Sequence, residues 1–182
     1  MGRWARSAPI AIAIAGLTVV ITSAHAYVAS SPARLGTVTP IIYGYPYAPD
    51  CPAAGVADRV DRFGMYECNC TSYVAWALHV NGLRTDWFIR GAMDAWNWPH
   101  VARLSRLRVT GSPSVGAVAV WPHLGGRFGH VAFVTGISSG GRFSVAEYNL
   151  PSWIAATRLE FDVRSNVSPV GVQFIVVPAS RS

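Results

Sequence analysis

The hydrophobic period of this chain changes once, and that change constrains the fold more than any other feature. From residue 116 onward five short runs are β-branched and aromatic: GAVAVWP (116–122), HVAFVTGI (130–137), RFSVAEYN (142–149), TRLEFDV (157–163) and VQFIVVP (172–178). Gly, Ser and Pro turns separate them, so each reads as a strand. Upstream the period is helical. Cys70, Tyr73, Val74, Ala77 and Leu78 fall on the i, i+3, i+4, i+7, i+8 stripe of one helix face. Asn69 is placed as its N-cap, and Asn81-Gly82 as its stop. A shorter second helix is expected over GAMDAWNW (91–98), ended by Pro99. Helices first and strands later predict an α+β domain whose N-terminal helices pack on an antiparallel sheet.

The 182 residues suffice for one domain with a proper core. Hydrophobic residues make up 51%, part of it concentrated at the start. Arg3 and Arg6, the apolar run Pro9 to Ile21 and the small-x-small triplet Ala24-His25-Ala26 read as a secretory signal over residues 1–26. The apolar run is short for a membrane span, so no stable insertion is expected after cleavage, with a retained N-terminal anchor as the alternative. An exported location follows: periplasm, cell envelope or outside. Residues 27–50, rich in Pro, Tyr and Gly, read as an extended lead-in, and residues 51–182 as the domain proper. Without Arg3 and Arg6, thirteen Arg stand against nine acids, a net charge of +4, and there is no Lys. Such a chain suits an anionic polymer or surface, but no basic cluster is dense enough to argue for nucleic acid. Nothing here constrains the oligomeric state. Three cysteines in an exported chain suggest one bridge and one free thiol.

The runs 130–137 and 142–149 form a hairpin around SSGG (138–141). If Ile137 pairs with Arg142, His130 lies opposite Asn149 with Glu147 on the diagonal; a shift by two residues puts His130 opposite Glu147. Either way His130, Glu147 and Asn149 share a face with Ala132, Val134, Val145 and Phe143. Three polar residues at the open end of an apolar face are unusual for plain surface. Cys70, at the first turn of its helix, sits at the positive end of the helix dipole, which favours a thiolate. Packing that helix on the sheet brings Cys70 to His130. An imidazole can take the thiol's proton, and Glu147 or Asn149 can fix the imidazole's orientation. Each residue alone also has a plain structural reading: a small buried hydrophobe, a strand-start histidine, edge polar groups.

The ordered set of motifs resembles the CHAP family, the cysteine, histidine-dependent amidohydrolases/peptidases. ECNCTSYVAWAL (67–78) is similar to the family's nucleophile motif, and GAMDAWNW to the Ala and Trp segment that follows it. PSVGAVAVW (113–121) resembles the strand before the histidine; GHVAFVTGI (129–137) and SVAEYN (144–149) resemble the His and Glu-x-Asn strands. The resemblance covers about residues 43–178. It implies a papain-like fold and cleavage of amide bonds in peptidoglycan, with Cys70 as nucleophile, His130 as base and later acid, Glu147 as its orienter and Asn149 as a further polar partner. Many members carry Gln before the nucleophile where this chain has Asn69, which would have to serve the oxyanion with a shorter reach. Beside that assignment Cys68 becomes a structural cysteine expected to bridge Cys51. A pairing of either with Cys70, giving a latent redox-controlled enzyme, is the rival.

Trp121, Trp96, Tyr148 and Trp153 are candidates to line a cleft or, equally, to fill the core. Arg127, in the loop beside His130, is a candidate for a substrate carboxylate, and His123 is the alternative imidazole. Two thiols in CNC, with no His at zinc spacing, argue against a metal site, and no cofactor is expected. The expected partner is peptidoglycan, at a stem peptide or the glycan–peptide junction, cut by an N-acetylmuramoyl-L-alanine amidase or peptide endopeptidase. The alternatives are a non-catalytic wall-binding protein of the same fold and an amidase for a small soluble amide.

Overall fold

The computed structural model describes residues 40–51, 59–88, 94–124, 126–150 and 160–181, all within the compact unit Thr37–Ser182. The expected signal segment, lead-in residues 27–39, residues 91–93, Trp153 and residues 157–159 lie outside the described residues. Among the described residues no helix is long and apolar enough to cross a membrane. The elements are α1 (Cys70–Val80), α2 (Trp98–Leu104), β1 (Arg108–Thr110), β2 (Val118–Trp121), β3 (His130–Ile137), β4 (Phe143–Tyr148), β5 (Phe161–Val167) and β6 (Gln173–Val176). The six strands form one antiparallel sheet in the order β1-β6-β2-β3-β4-β5. The α+β architecture expected from the change of period is the one observed.

Helix α1 starts and stops where its sequence says it should. Gly82 takes φ 67° and its N–H donates to His79 O, while Leu83 N–H donates to Leu78 O. This closes the last turn through a left-handed residue that glycine adopts without penalty. Asn69 is extended as an N-cap should be, but its side chain makes no capping bond. The single stripe was too narrow a reading: every residue from Cys70 to Leu78 is buried. One side of the helix packs on β3 and β4. Lead-in residues cover another part: Tyr45 lies against Tyr73 and Trp76, and Tyr73 donates to Ile42 O at 2.9 Å.

The second helix is displaced from its expected place. Ala95–Asn97 is a 3₁₀ turn, and α2 begins at Trp98, where a stop was expected. Pro99 occupies the first turn of α2, where its missing N–H costs nothing and its fixed φ suits the helix. Strand β5 likewise starts and ends later than the run 157–163 suggested, and β1 was not foreseen.

The hairpin register differs from the expectation at the turn and agrees with it beyond. Ile137 pairs with Phe143, not Arg142, and Gly136 with Ser144. A bulge between Val134 and Gly136 then absorbs one residue, so Val134 pairs with Val145 and Phe133 with Ala146. The two faces of the sheet carry separate clusters. Val131, Phe133, Ala146, Tyr148, Val118, Val120 and Ile175 join α1 and α2 in the main core. Ala132, Val134, Val145, Phe143, Ala119 and Phe174 form a second cluster. The expectation that α1 would cover the face of Ala132 and Val134 is therefore corrected: it covers the opposite one.

Candidate active site

The site forms where the start of α1 meets the start of β3. His130 is the first residue of β3, preceded by Gly129 at φ 71°. A Cβ at Gly129 would lie 2.7 Å from Trp96 N and 3.1 Å from Pro122 O, so only glycine permits this approach. His130 Nε2 lies 2.7 Å from Glu147 Oε2. The imidazole's other electrostatic neighbour is the Cys70 sulfur. Cys70 is the free cysteine. It keeps 9% of its surface exposed, against 1% for His130 and none for Glu147, and is the least buried of the three.

Electrostatics hold this chain together. Burial disfavours the imidazolium, but the neighbouring Cys70 sulfur and the Glu147 carboxylate outweigh it and raise His130 to about 9. Burial likewise opposes charge on Glu147, and hydrogen bonds from His130 and Arg164 overcome it, so its carboxyl stays below the usual carboxylate range. Arg164 was not foreseen. It binds both Glu147 oxygens, Nε to Oε1 and Nη2 to Oε2, and its guanidinium lies 5.1 Å above the Trp121 ring. Val145 pairs with Arg164 across β4 and β5, so Arg164 is the diagonal neighbour of Glu147 on the same face. The run TRLEFDV ended at Val163, one residue short, which hid the signal.

Asn149 sits elsewhere than expected. It adopts φ 53°, which ends the alternation of β4, and its amide donates to Asn69 Oδ1 at 2.7 Å. Its partner is thus the turn that precedes Cys70. Asn69 Nδ2 in turn donates to Glu67 O at 3.4 Å. Trp121 is half-buried beside His130, with ring centroids 5.9 Å apart. Tyr148 is core, packed against Tyr45 and Tyr73. Trp96 and Phe128 are exposed at 49% and 51%, and Arg127 stacks over Phe128 at 4.8 Å. His123 is exposed; the imidazole that neighbours Cys70 is that of His130. Cys51 and Cys68 form a disulfide with Cα atoms 5.5 Å apart. Among the described residues no group of three or more His, Cys, Asp or Glu comes together to hold a metal ion.

A Streptococcus mutans protein named "Putative hydrolase" is 30% identical over 92 residues, covering 50% of this chain and 41% of that one. The crystal structure of an N-acetylmuramoyl-L-alanine amidase from Staphylococcus aureus superposes with a TM-score of 0.51 at 24% identity, over 62% of this chain and 32% of that one. The chain thus spans about two fifths of the curated relative and a third of the amidase, and the second likeness concerns the fold. The family model of the CHAP domain matches residues 60–149, the segment that carries Cys70, His130, Glu147 and Asn149, and this segment is a CHAP domain.

Proposed function

We propose that this protein is an exported cysteine hydrolase of peptidoglycan amide bonds, either an N-acetylmuramoyl-L-alanine amidase or a peptide endopeptidase. The observation that carries the reading is the cluster at the start of β3: the free Cys70 as electrostatic neighbour of the buried His130, His130 hydrogen-bonded to the buried Glu147, and Glu147 held in turn by Arg164. In this reading the Cys70 thiolate attacks the amide carbon, and the carbonyl electrons move onto oxygen. The first N–H groups of α1 lack acceptors within the helix and face that oxyanion. Asn149 fixes the amide of Asn69 with its oxygen engaged, which leaves an Asn69 N–H for the same oxyanion. His130, protonated, gives its proton to the leaving amine as the C–N bond breaks. The neutral imidazole then takes a proton from water, whose oxygen displaces the sulfur and releases the carboxylate. Glu147 keeps the imidazole oriented, and Arg164 keeps Glu147 in place. Trp96, with its backbone against Gly129, and the exposed pair Arg127 and Phe128 offer apolar faces for a sugar or side chain and a cation for a stem-peptide carboxylate.

The test is incubation of purified protein, wild type and Cys70→Ala, with isolated peptidoglycan under mild reduction. Fragments released by the wild type alone support the reading, and their masses name the bond. Sedimentation of both proteins with the wall and no fragments from either would replace it with a wall-binding role.

A further inference from the structure

The turn that presents Cys70 is itself held in an unusual conformation by a buried polar chain. Cys68 adopts φ 63°, a region costly for a residue with a β-carbon. Its N–H donates to the Tyr45 hydroxyl at 3.0 Å. The same hydroxyl lies 2.6 Å from Ser72 Oγ, and Ser72 Oγ donates to Asp61 Oδ2 at 2.6 Å. A hydroxyl has one proton, and that of Ser72 is committed to the carboxylate, so Tyr45 donates to Ser72. Burial raises the tyrosine's pKa, so it keeps the proton this requires. The chain then runs in one direction, from the Cys68 N–H through Tyr45 and Ser72 to Asp61. The other Asp61 oxygen accepts N–H groups of Phe63 at 2.8 Å and Met65 at 2.9 Å. Tyr45, Ser72 and Asp61 are all buried.

One phenol oxygen therefore grips the chain on both sides of Cys70, at the peptide of Cys68 and at the side chain of Ser72. The disulfide tethers the Cys68 side chain but leaves its peptide plane free to rotate; the Tyr45 bond fixes that plane. We propose that Tyr45 is a positioning residue for the nucleophile, its hydroxyl setting the turn Cys68–Cys70 so that the Cys70 sulfur meets His130. The proposal rests on the reading of Cys70 as nucleophile.

The decisive variant is Tyr45→Phe, which keeps the ring packed against Tyr73, Trp76 and Tyr148 and removes only the hydroxyl. Tyr47→Phe, outside the chain, is the control. Full-length proteins are compared for kcat and KM on peptidoglycan fragments, for melting temperature, and for the rate at which iodoacetamide alkylates Cys70. The expected result is a kcat lower by about tenfold to a hundredfold with KM within about twofold, the scale of a misplaced reacting group. Alkylation of Cys70 should slow in parallel, and Tyr47→Phe should match the wild type. Tyr45→Phe with wild-type kcat and alkylation would overturn the proposal. So would a kcat loss that disappears when the assay is run well below the variant's melting temperature, because the hydroxyl would then be structural only. If the wild type releases no fragments, the catalytic reading fails, and equal alkylation of wild type and variant would overturn the positioning role separately.

Discussion

At Glu147 a single buried carboxylate is shared by two cationic partners, His130 and Arg164, and the behaviour of the site with pH follows from that sharing. The folded pKa of His130, about 9, lies above the ordinary value of about 6.5. Its contribution to stability is therefore complete below about pH 6.5 and lost as pH rises through about 9. Glu147 is shifted the opposite way, so its contribution is present above the ordinary carboxylate range and lost on acidification. Melting temperature against pH should fall on the alkaline side, and His130→Ala should flatten that side. Hydrolysis should fade over the same alkaline window, as the proton for the leaving amine is lost. Arg164→Ala frees one end of the carboxylate; kcat should drop by about tenfold or more, with Cys70 still present and alkylatable. At this scale the meeting of His130 and Glu147 was legible from strand alternation; the approach of Cys70 was not, because α1 packs on the opposite face from the one that alternation suggested. Asn149 was misplaced because one left-handed residue redirects a side chain, and alternation carries no sign of it.

At the scale of elements, the approach of two turns at Gly129 fixes where β3 begins. Gly129→Ala would force a Cβ against the backbone of Trp96 and into a left-handed conformation. A loss of about 1–3 kcal/mol is expected, with a fall in activity beyond what thermal melting explains, because His130 is the next residue. Denaturant unfolding beside kcat checks it. The hairpin shows how far pattern reading extends. The strand identities and the diagonal of His130 and Glu147 follow from period two, but the turn register was wrong by one residue, and the bulge near Thr135 restored it. Bulges and five-residue turns depend on local backbone geometry that hydrophobic alternation does not encode. Pro99 illustrates the same limit: it reads as a breaker by composition and acts as a helix first-turn residue by position.

At the scale of the molecule, residues 40–51 pack onto the domain. Ile41 and Asn81 exchange hydrogen bonds of 2.8 and 2.9 Å, and the Cys51–Cys68 disulfide closes a loop of 17 residues. Its removal by Cys51→Ser with Cys68→Ser should cost roughly 3 kcal/mol, a fall in Tm of roughly 10 °C for a domain of this size. Arithmetic of three cysteines foretold one bridge and one free thiol, but the pairing came only through the family resemblance. Which lead-in aromatics cover α1 was not legible, since Tyr45 lies in a Pro- and Gly-rich stretch without periodicity. The central claim is that the unpaired Cys70 is the nucleophile, and alkylation tests it most directly. Non-reduced protein treated with iodoacetamide, then mapped by mass spectrometry and assayed on peptidoglycan, should carry a single adduct at Cys70 and lose all hydrolysis in step with labelling. Full labelling of Cys70 with hydrolysis intact would contradict the account.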